Sequence, residues 1–495
     1  MTTLGLADTN TIAVLLLVFG VLMAFCALMS RIANRTGVPI VLIFLVLGML
    51  GGSEGIGGIE FTNADVAFRI ATTALVLILF DGGVNTSWES IRRSAAPAGI
   101  LATVGVIGTG FLLALMGRLL GLGWGSAALI GAIVSSTDAA AVFAVLRGGG
   151  VRLQDRVGSI LEVESCVNDP MAIILTVTAI DVIASGGAPG WSILFFVPLQ
   201  LVLGALAGVG IGLVVRIILK RIPVGTVGLY PVVMLAAAFV AFGVGTLIGG
   251  SGILAVFVAG VVLGNGPLPY KAGLRRVIDA FGWLSQVTMF LMLGLLVFPS
   301  TLLTVLWPGL ALGLFLAFVA RPVVVAVCLI PLRLPFKEIL YIGWIGLRGA
   351  VPIILGLYPI LAELPGANEV FHIVFFIVVV SALVPGASIL PVTRWLGLGE
   401  RRPPPPRAAL ELHALKSMDR DLRLYILDEN VAAAGARLAE LPFPEGVAVV
   451  LVVRGDEPLA ARGNTVLQPG DYVYVVCRPE DEAQVGLFLG SSTSQ

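Results

Sequence analysis

The sequence predicts an all-α polytopic membrane protein of about 13 transmembrane helices, with inverted repeats and two broken helices, followed by a small cytoplasmic α/β domain. Three observations predict it. The chain is 58% hydrophobic and 12% charged, far from a soluble globular average. Apolar runs long enough to cross a bilayer follow one another from residue 11 to residue 394. After Trp395 the character changes at once, and residues 408–495 hold seven Lys/Arg against 13 Asp/Glu.

With ~20 apolar residues per crossing, the runs fall near 11–30, 37–53, 64–84, 96–118, 125–147, 157–183, 191–219, 227–248, 251–266, 277–299, 303–331, 338–362 and 369–394. The eighth and ninth are divided at Gly249-Gly-Ser-Gly252. Sixteen Lys/Arg, from Arg31 to Arg394, fall on one set of alternate connections; the other set holds Arg118, with Arg69 just inside a helix. By the positive-inside rule the N-terminus is outside and the C-terminus cytoplasmic, in a bacterial inner membrane. The start has Asp8 and no Lys or Arg before the first run, which reads as a retained helix and not a cleaved signal.

An odd helix count has a structural consequence. With the first helix set aside, helices 2–6 start inside and helices 9–13 start outside, an inverted topology. The fourth member of the first unit contains Ser135-Ser-Thr-Asp138 halfway along an apolar run. The fourth member of the second contains Gly343-Trp-Ile-Gly-Leu-Arg-Gly-Ala-Val-Pro352, three glycines and a proline around Arg348. Both read as interrupted helices, a pointer to a transporter site.

The transmembrane domain is expected over 1–399 and a proline-rich linker over 400–407, Glu400-Arg-Arg-Pro-Pro-Pro-Pro-Arg407, stiff and extended. The domain 408–495 carries a net charge of −6 opposite inner loops rich in arginine. Leu422–Leu427 and Val447–Val453 read as strands, Val431–Leu441 as a short amphipathic helix, and Thr465–Val476 as strand, Pro-Gly turn, strand. Cys26, Cys166, Cys328 and Cys477 lie far apart with no CxxC, so neither a disulfide framework nor a zinc site is indicated. His372 and His413 are the only histidines, which argues against a histidine metal centre or triad.

The chemistry concentrates in Ile160-Leu-Glu-Val-Glu-Ser-Cys-Val-Asn-Asp-Pro170. An ionisable side chain at the centre of a membrane helix costs ~2.5–3.5 kcal/mol on insertion scales, so several in a row need a reason. At 3.6 residues per turn Ser165 and Asp169 stack on one stripe with Glu162 a turn before, and Glu164 with Asn168 forms a second stripe. Pro170 cannot donate to the carbonyl of Cys166. Asp169 and Asp138, with Thr137 and Ser165 as oxygen ligands, suit a hard monovalent cation and a proton. Ser and Thr in membrane helices more often simply pack or bond to their own backbone; the neighbouring acids tip these two toward ligation. Glu164, Arg348 and Arg321 read as an architectural ion pair, Arg348 on Glu164 with Arg321 nearby. Asn168 is expected to bond backbone freed by the first break and hold Asp169 in place. Glu162 reads as funnel lining, and Asp81, toward the cytoplasmic end of the third helix, either lines the same funnel or is solvated at the interface. The run Gly204-Ala-Leu-Ala-Gly-Val-Gly-Ile-Gly212 suits close helix packing, with a dimer face as one setting.

Thr137-Asp138, Glu164-Ser165, Asn168-Asp169 and Gly346-Leu-Arg-Gly-Ala-Val-Pro352 together resemble the monovalent cation:proton antiporter-1 family, in spacing and order over residues 10–395. Within it the chain resembles the NhaP-type potassium/proton antiporters with a cytoplasmic tail. The tail's Gly463-Asn-Thr-Val-Leu-Gln-Pro-Gly-Asp471 resembles the TrkA-C lobe of potassium-conductance regulators. Ala139 stands where many members have proline. The resemblance implies a homodimer in the lipid bilayer, with a core that moves one cation against protons by alternating access. It also implies Asp169 as the shared carboxylate with Thr137, Asp138 and Ser165 as co-ligands. Asn168, where electrogenic relatives carry aspartate, implies electroneutral exchange. No cofactor is implied beyond the transported cation and proton, a small molecule or nucleotide is the class of ligand open to the tail, and nucleic acid is no partner.

Other classes fit less well. A cation channel would show a continuously polar pore or a filter loop, and no Thr-Val-Gly-Tyr-Gly-like stretch occurs. An intramembrane aspartyl protease would show Gly-x-Gly-Asp, whereas Phe80-Asp-Gly-Gly83 reverses that order. A membrane sensor with a regulatory tail leaves the two broken helices unexplained.

Overall fold

The computed structural model describes residues 9–36, 39–186, 193–221, 226–268, 270–401, 421–428, 431–455, 457–478, 480–490 and 492–493. Two compact units divide the chain, 1–266 with 275–401 and 402–495 with 267–274.

In the first unit, helix covers every one of the apolar runs. Eight helices among the described residues are long and apolar enough to cross a membrane, among them Ala64–Asn85, Trp88–Leu119, Asp155–Ser185, Leu306–Leu332 and Ala367–Leu396. Shorter apolar helices include Ile40–Gly51, Trp124–Ile133, Ala139–Gly148, Gly252–Gly264 and Ala350–Leu361. The division at Gly249–Gly252 is real. Gly249 takes a positive φ of 78°, where glycine carries no Cβ penalty, and Ser251 then caps Gly252–Gly264 by accepting from the Leu254 N–H at 3.3 Å.

Three long helices carry a π turn, at Leu101–Gly105, Leu316–Ala320 and Ala382–Gly386. The second stands immediately before Arg321-Pro322. Pro322 has no N–H for the carbonyl a turn earlier, and a π turn is a common way to absorb such a mismatch. Gly204, Gly208 and Gly212 of the glycine run on Ile193–Arg221 pack against Gly252–Gly264 inside the unit. A Cβ on Gly204 or Gly208 would meet the Ser251 or Ala255 carbonyl oxygen, so both glycines press directly on the start of Gly252–Gly264. Close approach of this kind needs bare backbone.

Val151–Leu153, between the first interrupted helix and Asp155–Ser185, pairs antiparallel with Gly399–Arg401. The Gln154 N–H adds a bond to the Leu398 carbonyl at 3.0 Å. Glu400 and Arg401 are therefore strand and not linker; residues 402–407, the rest of the expected linker, lie outside the described residues.

The second unit holds a five-stranded sheet in the order Glu457–Ala460, Ala448–Arg454, Tyr472–Cys477, Asp421–Ile426, Ser492–Thr493, every neighbouring pair antiparallel. Alternation sorts its faces: Tyr425, Val473 and Val475 pack with Val485 and Leu489 of the helix Glu482–Leu489, while Leu424, Tyr472 and Tyr474 fill the other side. The expected helix over Val431–Leu441 is absent. Gly435 takes φ +84°, and the stretch exchanges backbone bonds with residues 465–467, such as Gly435 N–H to Leu467 O at 2.8 Å. Only Leu438–Glu440 makes a short 3₁₀ turn. Of the expected strand–turn–strand, the first arm reduces to a single bridge between Val466 and Arg437. Asp471 is fully buried; both its oxygens accept from Arg454 at 2.8 Å, and Oδ2 accepts from the Gln468 N–H.

Candidate cation site

The two interruptions form where the sequence lets side chains and bare backbone outbid the helix. The first helix stops at Ile133 and resumes at Ala139. Asp138 caps the resumed half, its Oδ1 accepting from the Ala141 N–H at 3.2 Å, and the Ser135 hydroxyl donates to the Ala132 carbonyl at 2.7 Å. Short polar residues offer the backbone such partners in place of the helical ladder. The second stops at Trp344 and resumes at Ala350, across the low-propensity residues Gly346 and Gly349.

Each break supplies the partners the other lacks. The Asp138 N–H donates to the Leu347 carbonyl at 2.8 Å. Arg348 Nε donates to the Val134 carbonyl at 2.8 Å, Nη1 to the Gly346 carbonyl at 2.6 Å, and the Arg348 N–H to the Ser381 hydroxyl at 2.9 Å. Orphaned helix-end carbonyls are expensive in an apolar interior, and a buried guanidinium answers two of them at once. The breaks are in close contact: a Cβ on Gly349 would overlap Asp138 Oδ2.

Asp155–Ser185 lies against this crossing as a continuous helix with Pro170 inside it. The Ser165 hydroxyl donates to the Thr137 carbonyl at 2.8 Å and accepts from the Ala139 N–H at 3.1 Å, bridging the first break. Asn168 Nδ2 donates to Thr137 Oγ1 at 2.7 Å. It thus holds a side-chain hydroxyl where freed backbone was expected. Glu164 pairs with Arg321, Nη2 to Oε1 at 2.6 Å. The expected Glu164–Arg348 pair is not made. Arg348 turns to the carbonyls of the breaks, and Arg321 takes the carboxylate instead.

A cavity of about 220 Å³ is lined by Asp169, Asp138, Ser136, Thr137, Ser165 and Cys166, and also by Asp81, Glu162, Arg147 and Asp279. Asp138 and Arg147 mark the two ends of one short helix, so the lining spans ~13 Å at 1.5 Å per residue. Asp169, Ser165 and Glu162 share the cavity, whereas Glu164 and Asn168 serve the second stripe's contacts. Glu162 Oε1 accepts from the Thr86 hydroxyl at 2.8 Å, and Asp81 Oδ1 from Asn85 Nδ2 at 2.9 Å. Sequence reasoning passed over Asp279, Arg147 and Ser136. Asp279 sits just inside the run 277–299, so its position was the available signal; Ser136 stood within the stretch already singled out.

Two carboxylates and several oxygens, held where two unwound helices cross between half-helix ends, define a secondary transporter for a small cation coupled to protons. Residues 20–395 match the transmembrane family of sodium/hydrogen exchangers and residues 422–490 the TrkA-C domain. The chain is 42% identical to the K(+)/H(+) antiporter NhaP of Alkalimonas amylolytica, over 97% of this chain and 84% of that one. It is 38% identical to the K(+)/H(+) antiporter NhaP2 of Shewanella oneidensis, with the same coverage. Its fold is similar to that of the sodium proton antiporter MjNhaP1 of Methanocaldococcus jannaschii, with a TM-score of 0.64, 23% identity, and coverage of 77% of this chain and 98% of that one. The chain belongs to the sodium/hydrogen exchanger family. It is an integral membrane cation/proton antiporter, a transporter and not an enzyme, with a TrkA-C domain at its C-terminal side.

Proposed function

We propose that this chain exchanges potassium for protons, one for one, by alternating access through the cavity at the crossed breaks. The single observation that carries the reading is the cavity itself, with Asp169 and Asp138 both on its wall. Potassium is favoured by the 42% and 38% identical relatives named for K(+)/H(+) exchange; sodium is the second substrate to test. Proton and cation compete for the Asp169 carboxylate, with Asp138, Thr137 and Ser165 supplying further oxygens, so either load brings the same charge to the site. Asn168 in place of a second acid supports electroneutrality. Glu164 with Arg321, and Arg348 on the carbonyls of the breaks, hold the frame.

Residues 1–401 perform exchange, 402–407 link, and 408–495 regulate, taking a small-molecule or nucleotide ligand. The transporter works as a homodimer in the inner membrane, N-terminus outside and C-terminus cytoplasmic, consistent with the loop charges. The test is cation-induced dequenching of a pH-gradient dye in everted vesicles, run with potassium, sodium and lithium. Dequenching by potassium supports the reading. Dequenching by sodium or lithium alone overturns the potassium assignment, and none with any cation overturns exchange.

A further inference from the structure

Four hydroxyls stand at the first break and its neighbour helix, and three are engaged. Ser135 donates to the Ala132 carbonyl, Ser165 both donates to and accepts from the broken backbone, and Thr137 Oγ1 accepts from Asn168. Ser136 differs. It is 1% exposed, its Oγ makes no hydrogen bond to the backbone or hydroxyls of the break, and it lines the same cavity as Asp138 and Asp169. The group it does interact with is the Asp169 carboxylate. A hydroxyl carries one proton and two lone pairs, and buried polar groups are satisfied in all but a few cases. A hydroxyl that only Asp169 engages, on the wall of a dicarboxylate cavity, keeps its lone pairs for a partner that arrives from outside the protein.

We infer that the Ser136 hydroxyl is a ligand of the transported monovalent cation, beside Asp169, and a determinant of which cation the site prefers. The inference rests on the reading of this cavity as the exchange site. The oxygen is neutral, so it adds to cation binding without adding charge, and charge balance with the proton-loaded state is kept. The hydroxyl also rotates. With the proton on Asp169 it turns toward the carboxyl, and with the cation present its lone pairs face the ion. Its reach is set by the backbone of the break, which the Asp138 and Arg348 cross-bonds hold, so its distance to the ion is fixed by the frame and cannot adapt equally to potassium and sodium.

The test uses the full chain in proteoliposomes, wild type with Ser136→Ala and Ser136→Thr, and records proton flux against potassium and sodium concentration. A ligand lost from both ground and transition state raises KM with little change in maximal rate. Ser136→Ala is expected to raise the potassium KM about tenfold with maximal rate within about twofold, and to change the potassium-to-sodium KM ratio. Protons then win the carboxylate more often at a given cation concentration, so the acid limb of the pH profile moves to higher pH. Ser136→Thr keeps the oxygen and restores the KM. A Ser136→Ala protein with unaltered KM, one that loses only maximal rate, or a Ser136→Thr protein as poor as Ser136→Ala overturns the assignment. A wild type without cation-dependent proton flux instead overturns the exchange reading beneath it.

Discussion

Replacing Arg321 with Met tests which arginine neutralises Glu164. Glu164 is 0% and Arg321 3% exposed, with 2.6 Å between Nη2 and Oε1. Neither Glu164 oxygen has a hydrogen-bond partner among the described residues, so the Arg321 ion pair is its direct compensation. Breaking a buried pair from one side costs ~3–5 kcal/mol, because the remaining charge stays buried alone, whereas replacing both partners is often close to neutral. Arg321→Met should therefore destabilise by about 3–5 kcal/mol, and adding Glu164→Gln should recover most of it, a coupling of roughly 2 kcal/mol or more. Arg348→Met removes bonds to the Val134 and Gly346 carbonyls instead, so Glu164→Gln should not rescue it. The assay is thermal unfolding of purified protein in detergent, followed by tryptophan fluorescence, for both double-mutant cycles. Rescue of Arg348→Met by Glu164→Gln, together with no rescue of Arg321→Met, would refute the assignment of the pair.

Five further outcomes follow from the same geometry. Gly349→Ala should cut exchange at least tenfold in the vesicle assay, since the new Cβ overlaps Asp138 Oδ2; wild-type rates would show that the two breaks separate freely. Asn168→Ala frees the Thr137 hydroxyl and should lower maximal rate, with normal flux marking that bond as dispensable. Asp471→Asn leaves Arg454 without its carboxylate and should lower the stability of the tail by about 1–3 kcal/mol, read as faster proteolysis within 421–490, while exchange persists. Truncation after Arg407 should leave exchange with an altered pH profile or apparent affinity. Truncation after Leu398 also removes the strand paired to Val151–Leu153 and should in addition lower the rate. An identical profile in both truncations would remove the claim that this end of the chain biases the core.

The breaks and the acids were legible because an apolar interior leaves them nowhere to hide. Asp138 and Asp169 stand out at mid-depth in apolar runs, Asp169 with Glu162 and Glu164 close before it, and Gly346, Gly349 and Pro352 mark a helix that cannot continue. Helical spacing also separated the Ser165–Asp169 stripe from the Glu164–Asn168 stripe. Pairing was not legible. Arg321 and Arg348 are both lone cations in apolar runs, and only the packing of their helices decides which one meets Glu164. The glycines at 204 and 208 announced a close neighbour without naming it. In the tail, Val431–Leu441 is locally rich in alanine, but backbone bonds to residues 465–467 outweigh that preference. Ser136 was invisible as distinct from Ser135 and Thr137, because a hydroxyl's availability depends on which partners its neighbours have already taken.

The sharpest measurement is proton flux driven by a potassium gradient across proteoliposomes holding Asp169→Asn, beside wild type at equal protein density and with folding checked by thermal unfolding. Asparagine keeps the shape and removes the charge for which proton and cation compete. Folded Asp169→Asn protein is predicted to give flux indistinguishable from empty liposomes at every pH at which wild type is active. Folded Asp169→Asn protein that still exchanges potassium for protons at near wild-type rate would contradict the shared-carboxylate mechanism.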